Sequence, residues 1–299
     1  INVGRAGRRC HSLTKRRDSV TDGRYRITRA GYDVVSAFGC LDAVELPGTA
    51  IITVLGRRGY TESAVRNQIA RLVYQGVLAT RRSGRHAVYA VADRLGADFE
   101  RIAGRDEPAP FTGSFSQVVH EVPESQRAFK DRLHYLLPMH GYGRLRSGVA
   151  IAPVDRSGEL RHLIGTPPRG AWIGYGTWVV GDLEEARRLV DRAFDLSTCH
   201  QELTHLERQL REREERARGG DAGGTQAHFD LHHRAAMTSF KIPQLPAELV
   251  THDAVARRQR LMRQLSVYYR TWLQADDMAA VSELDAAHLV RPREDIPAD

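Results

Sequence analysis

The side chains best suited to recognise a ligand are Arg66, Asn67 and Arg71, which lie close together in a segment of mixed polar and apolar residues. In the major groove of duplex DNA, an arginine can pair with guanine and an asparagine with adenine. Arg66 and Asn67 fall in the early turns of the expected helix, where helix-turn-helix proteins usually contact bases. Arg71 and Tyr74 lie further along and are better placed to meet phosphates. These residues predict contact with duplex DNA.

An amphipathic helix must position these side chains. Thr61 or Ser63 can cap its first turn, because a side-chain oxygen accepts from backbone amides that lack partners there. Apolar residues then recur with the period of an α-helix, at Val65, Ile69, Leu72 and Val73. Gly76 fits just beyond the end, where a left-handed residue can close a helix. Taken alone, this pattern is equally typical of a surface helix with a solvated polar face.

A basic hairpin follows and favours DNA over that simpler explanation. Residues 77–79 and 88–91 read as two strands around a turn at Gly84. The turn region is strongly basic and carries Arg81, Arg82, Arg85 and His86. Arginines at a hairpin tip contribute to no core, but they suit phosphates or a narrow minor groove. A helix followed by such a hairpin is the order of a winged helix-turn-helix.

Two further helices are expected upstream, from Gly31 to Phe38 and from Pro47 to Leu55, with a turn at residues 56–60. Asp93 to Gly104 is predicted to form a helix that leads out of this unit. Residues 106–110 read as a linker, since two prolines in three residues disfavour helix. We therefore expect a DNA-binding domain over residues 31–105.

The charge distribution points to the same part of the chain. Residues 1–105 hold 19 Lys+Arg and 9 Asp+Glu, a net of +10, whereas the remainder holds 25 and 28, a net of −3. A basic third on a nearly neutral body is typical of phosphate binding. Residues 1–30 are predicted to be a basic flexible arm, or alternatively an arm that contacts DNA.

Composition excludes several other classes. No apolar run approaches the ~20 residues that span a bilayer, and the first thirty residues lack the apolar stretch of a signal peptide. The three cysteines are far apart and odd in number, which argues against a disulfide framework and favours the cytoplasm.

Residues 111–196 are expected to form a small α+β sandwich of ferredoxin-like type. The expected strands are Phe115–Val122, Gly148–Pro153, Leu160–Gly165 and Thr177–Val180, and the expected helices are Ser125–Leu137 and one that Asp182 caps. Residues 197–290 read as a helical domain with a flexible glycine-rich loop at residues 219–224. The expected helices are Ser197–Arg218, His228–Phe240 and Asp253–Leu273. The chain from Arg291 onward is predicted to be loose.

An enzyme is the competing class of function. The sequence has no phosphate-binding glycine loop, no Gly-x-Ser-x-Gly elbow and no His-Glu-x-x-His motif. Two histidine groups suggest metal ligands, but neither has the paired-cysteine spacing of structural zinc, so helix-surface histidines are expected. These groups are Cys199, His200 and His205, and His228, His232 and His233. We therefore predict no enzyme activity, no cofactor and no metal.

Two alternatives remain open. A metal-dependent nuclease would use the middle domain, where His120 and Glu121 end a strand, although a two-metal site needs several carboxylates. An RNA-binding or scaffolding protein is the other, although no stacking aromatic side chains accompany the basic surface.

The chain also resembles a known family, the PaaX-like transcriptional regulators (phenylacetate-degradation repressors). The resemblance runs from about Gly31 to about Asp276. Its most specific segments are residues 62–73 and residues 82–89. Further similar segments are 122–124 with the helix that follows, 193–196, and 240 through 249.

The resemblance implies a winged-helix domain, a middle domain like the CRISPR-associated Cas2 fold, and a helical C-terminal domain. It implies a cytoplasmic homodimeric repressor that a small effector releases from its operator, an acyl-CoA such as phenylacetyl-CoA. It carries DNA binding to five positions of this chain: Arg66, Asn67, Arg71, Arg82 and Arg85. No effector-binding residue follows from it.

Overall fold

The computed structural model describes residues 28–92, 110–250 and 254–293. Over these ranges the chain is a mixed α/β protein with ten α-helices and two antiparallel four-stranded sheets. Most of the predicted arm, the predicted helix at residues 93–104 and most of the predicted linker lie outside the described residues. None of the helices in the described ranges has the length and apolar character that crossing a membrane requires.

The N-terminal elements include the predicted helices and hairpin. They are α1 (Arg29–Cys40), β1 (Ala43–Pro47), α2 (Gly48–Gly56), α3 (Glu62–Tyr74), β2 (Leu78–Ser83) and β3 (His86–Val91). Helix α1 begins two residues earlier than predicted, inside the expected arm, because the Thr28 hydroxyl accepts from the Gly31 amide at 3.2 Å. Strand β1 was not predicted. It pairs antiparallel with β3, placing Leu46 opposite Tyr89.

The sheet of this unit closes with residues from the far end of the chain. Strand β8 (Arg291–Pro292) pairs with β1 and completes the order β2-β3-β1-β8. The prediction of a loose end from Arg291 is therefore wrong for these two residues. Val281, also from the C-terminal part, packs in the same apolar core as Val54 and Leu55. Residues from the end of the chain thus contribute to both the sheet and the apolar core of the N-terminal elements.

The middle elements are β4 (Ser114–Glu121), α4 (Arg127–Met139), β5 (Gly143–Arg146), β6 (Val149–Ala152), α5 (Ser157–Ile164), β7 (Trp172–Val179) and α6 (Leu183–Phe194). The sheet order is β5-β6-β4-β7. Apolar side chains of the sheet alternate between its two faces, as the two-residue period of a strand requires. Val118 packs with α4 and α5, whereas Phe115 packs with α6 and the C-terminal helices.

One predicted strand in this region is wrong. Residues 160–165 form the second half of helix α5 and its C-cap rather than a strand. Leu160 and Ile164 are both buried, while the charged residues between them are exposed, which is helical spacing. Gly165 ends the helix with a positive φ of 67°. Asp182 caps the next helix as predicted, because its Oδ1 accepts from the Glu185 amide at 2.7 Å.

The C-terminal elements are helical, as predicted. They are α7 (Leu196–Arg218), α8 (Thr225–Ser239), α9 (Ala254–Trp272) and α10 (Gln274–Ser282). The glycine-rich segment at residues 219–224 joins α7 to α8. Leu206 of α7 and Leu265 of α9 are fully buried in one core with Phe229 of α8. This core also includes Cys40 at the end of α1, so the C-terminal helices pack directly on the N-terminal ones.

Candidate nucleic-acid interface

Helix α3 buries one face and exposes the other. Val65, Ile69 and Leu72 are buried, and the hydroxyl of Thr61, rather than that of Ser63, caps the first turn by accepting from the Ala64 amide at 3.3 Å. Three polar residues that could read DNA are exposed on the opposite side: Arg66, Asn67 and Arg71. The polar face is therefore held by a rigid, packed helix and is open to a ligand.

The hairpin β2–β3 presents its basic tip through a tight turn. Ser83 pairs with His86, which leaves Gly84 and Arg85 as a two-residue turn. Gly84 has a φ of +58°, and Arg85 is not among the residues with positive φ. A positive φ only at the first central position is the type II′ pattern, which matches strand twist and favours glycine there. Gly84 therefore allows the arginines on either side of it to project from a regular hairpin.

Three of the predicted arginines have carboxylate partners: Arg66 with Glu62, Arg81 with Glu45, and Arg85 with Asp285. The pairs of Arg66 and Arg85 are exposed at both ends, and such pairs contribute only about 0–1 kcal/mol. A phosphate or a base can therefore replace the carboxylate at little cost. Arg81 differs, because both Glu45 oxygens accept from it and the Glu45 side chain is only 13% exposed. Arg81 lowers the pKa of Glu45 and ties β2 to β1.

Arg71 and Arg82 differ from these three arginines in their surroundings. Both side chains are exposed, and no carboxylate among the described residues pairs with either. Tyr74, at the end of α3, is 68% exposed. His86 is mostly covered, and its Nε2 lies 3.6 Å from Asp285 Oδ2. The structure thus places the predicted residues on α3 and the adjacent hairpin. Three of the arginines have a carboxylate partner, and two have none among the described residues.

Helix α1 supports α3 from behind through polar contacts. The Thr28 hydroxyl donates to Gln68 Oε1 at 3.1 Å, which joins the start of α1 to the middle of α3. The Tyr60 hydroxyl, just before α3, donates to Asp33 Oδ2 at 2.7 Å. Arg58 is buried and donates to the Asp33 carbonyl oxygen at 3.1 Å. The orientation of α3 therefore depends on α1.

The comparisons with known proteins leave the family open. No family model matches this chain, and no curated protein matches it. One solved structure that resembles it is the uncharacterized protein Rv0674 from Mycobacterium tuberculosis. The identity is 18%, the alignment covers 77% of this chain and 90% of that chain, and the TM-score is 0.48. A likeness this distant carries no argument about function.

Two of the histidines on α8 contribute to packing and to a contact between helices. The prediction of helix-surface histidines is wrong for His228, which is fully buried among aromatic rings. His232 Nδ1 lies 2.8 Å from the Tyr32 hydroxyl and so joins α8 to α1. In the described part of the chain, no three His, Cys, Asp or Glu side chains are grouped to hold a metal ion. The residues that sequence reasoning missed, Arg58 and Asp33, gave no signal because isolated charges usually predict exposure.

Proposed function

We propose that this chain is a sequence-specific DNA-binding transcriptional repressor of the PaaX-like family. It acts in the cytoplasm as a homodimer and is released from its operator by a small effector, an acyl-CoA such as phenylacetyl-CoA. The observation that carries the proposal is the exposed face of α3, with its arginines and asparagine, beside a basic hairpin. A solvated surface helix would not require a second basic element at its side.

The proposal includes a finer domain layout. Residues 31–105 are a winged helix-turn-helix, in which α2 and α3 form the motif and β2–β3 the wing. The element order β-α-β-β-α-β from β4 to β7 supports a ferredoxin-like, Cas2-like middle domain over residues 111–196. The remaining domain, over residues 197–290, is helical and carries the effector response.

In this mechanism α3 enters the major groove. Arg66 and Asn67 contact base edges, since they lie in its first turns. Arg71 and Tyr74 meet the phosphate backbone further along the helix. Arg82 and Arg85 contact phosphates or the minor groove from the hairpin. Arg81 and His86 support the hairpin and contact DNA less than Arg82 and Arg85 do.

A homodimer presents two copies of α3 to two related half-sites, whose spacing must match the dimer. An effector that binds better to another dimer geometry shifts the population towards it. The two copies of α3 then no longer match the operator, and affinity falls.

The test is a mobility shift with the purified protein and the DNA upstream of its own gene, in excess random DNA, with and without phenylacetyl-CoA. A shift that survives the competitor and disappears with the ligand is the expected result. A shift that ignores the ligand removes phenylacetyl-CoA as the effector and keeps the repressor. A shift that excess random DNA abolishes contradicts specific binding at this site. Incubation of labelled DNA with magnesium or manganese tests the nuclease alternative, and intact DNA after long incubation removes it.

A further inference from the structure

A cavity of about 700 Å³ lies between helix α1 and the C-terminal helices α8 and α9. Sites for small molecules typically measure about 300–1,000 Å³ and are lined mainly by apolar and aromatic side chains with a few polar groups. The cavity lies on the side of α1 that meets the C-terminal helices. It is therefore separate from the DNA-facing residues of α3 and the hairpin.

Its inner wall is apolar and aromatic. Tyr32 from α1, Phe229 from α8, and Leu265 and Tyr269 from α9 line it, and all four are buried. Cys40 also lines it as an uncharged thiol, since burial raises the pKa of this group to about 11. An apolar or aromatic group placed here would be removed from water, which favours its binding.

Two polar side chains in the same wall are buried without a hydrogen bond to any described residue. Neither ring nitrogen of His228 has a hydrogen-bond partner among the described residues, and neither does the hydroxyl of Ser239. Both side chains line the cavity and are buried. Native structures rarely leave buried polar groups unpaired, so each one calls for an explanation such as a missing ligand or water. These groups mark the cavity as more than a packing defect.

The charged residues around the cavity are almost all positive. Arg258 is committed to the fold, because it donates to Gln244 Oε1 at 2.9 Å and to the Ser239 carbonyl oxygen at 3.2 Å. Three exposed arginines have no carboxylate partner within the described residues: Arg263, Arg270 and Arg293. Asp42 is the single acidic residue of the described lining. This excess of positive charge favours an anion.

The cavity wall is also connected to the DNA-facing helix. On the α8 side of α1, Arg29 pairs with Asp230 at 2.9 Å and the Tyr32 hydroxyl contacts His232. At the start of the same helix, Thr28 donates to Gln68 of α3. A movement of α1 relative to α8 would therefore also move the contact between α1 and α3.

We propose that this cavity binds an amphipathic anion, with an apolar or aromatic body between α1 and α9 and a carboxylate or phosphate at Arg263 and Arg270. Occupancy sets the position of α1 against α8 and thereby that of α3. The regulatory half of this inference rests on the proposed function, whereas ligand binding does not depend on it.

The first experiment titrates the full-length protein with the aromatic sulfonate dye anilinonaphthalene sulfonate and follows its fluorescence. Gly39 lines the cavity from α1, and a Cβ added there meets no atom within 4 Å. Gly39→Phe therefore has room for its Cβ, and its ring should obstruct the cavity and weaken dye binding about tenfold. Gly158→Phe is the matched control, because Gly158 is also helical with open space around it and lies on α5. Equal dye binding by the two variants, or no saturable binding by the unaltered protein, overturns the proposal.

A second experiment tests the sign of the ligand charge and its source. Arg263→Glu and Arg270→Glu should each weaken dye binding about fivefold, because they reverse a nearby unpaired charge. Unchanged affinity in both contradicts the anion preference. Displacement of the dye by phenylacetate but not phenylacetyl-CoA identifies a free acid as ligand, and the reverse identifies a thioester. Displacement by neither, with the dye still sensitive to Gly39→Phe, rejects an aryl acid ligand.

DNA binding measured in parallel separates the two proposals. If the protein binds DNA specifically and Gly39→Phe leaves dye binding unchanged, only the cavity site is refuted. The opposite result is a protein that binds the dye but no DNA, with dye binding lost in Gly39→Phe. That result refutes the repressor function and leaves the cavity site intact.

Discussion

Replacement of His228 by phenylalanine should make the fold more resistant to acid. The imidazole is stacked on Tyr268 with ring centroids 5.4 Å apart and meets Phe229 edge-on at 5.3 Å. Neither nitrogen has a hydrogen-bond partner in the described part of the chain. A phenyl ring keeps the aromatic contacts and loses no hydrogen bond. It also removes a group that acid can charge.

The size of the effect follows from the pKa of His228. Burial, with smaller contributions from His232, Arg213 and Arg58, lowers this pKa from 6.5 to about 3. Between these two values the unfolded chain takes up a proton that the folded chain does not, so stability falls as the pH falls below 6.5. At about pH 5.5 the loss due to this one group is about 1.4 kcal/mol.

The assay is urea denaturation at about pH 7.5 and about pH 5.5. Between these conditions the unaltered protein should lose about 1.4 kcal/mol more unfolding free energy than His228→Phe. A constant packing penalty from the larger ring cancels in this comparison. His162→Phe is the control for the introduction of a phenyl ring, because His162 is exposed on α5. Equal losses in the unaltered protein and His228→Phe would show that His228 does not contribute to the acid sensitivity of the fold, and would refute this prediction.

Three further predictions concern the DNA-facing surface. Arg82→Ala removes a cation that has no carboxylate partner among the described residues, and it should reduce the slope of log K against log salt by about 1. Over about a fourfold rise in salt, the affinity of this variant should therefore fall about 3.5-fold less than that of the unaltered protein. Arg188→Ala, an exposed arginine on α6, makes the same charge change elsewhere and should keep the slope. Arg66→Ala should weaken operator binding by ~1–3 kcal/mol and relax specificity at one base pair, as competition titrations measure; equal loss on random DNA refutes base contact. Arg85→Ala should weaken operator and random DNA alike and flatten the salt dependence in the same titrations; a loss confined to the operator contradicts a phosphate contact.

The sequence predicted α3 and its hairpin well because their determinants are local. The cap at Thr61, the apolar spacing of α3 and the glycine at the hairpin turn all lie within a few residues of the structure they specify. The same local reasoning failed at residues 160–165. A short apolar run fits both a strand and a helix, and only packing against the middle core decides between them.

Long-range contacts set the limit of prediction for the candidate site. Glu62, the partner of Arg66, lies one helical turn away and was within reach of sequence reasoning. Asp285, the partner of Arg85, comes from the far end of the chain and was not. The burial of His228 depends on aromatic side chains of α9, and the cavity beside it requires three helices from two parts of the chain. Periodicity along a single helix cannot report such neighbours.

Selection from a pool of random duplex DNA tests whether the protein binds a specific sequence through α3. The purified protein is incubated with the pool, and the bound duplexes are sequenced over several rounds. Base contacts from α3 in a homodimer predict one enriched motif with two related half-sites. The double variant Arg66→Ala and Asn67→Ala should lose this motif although it still folds. A pool that stays random with the unaltered protein, or the same motif enriched by both proteins, would contradict sequence-specific binding through α3.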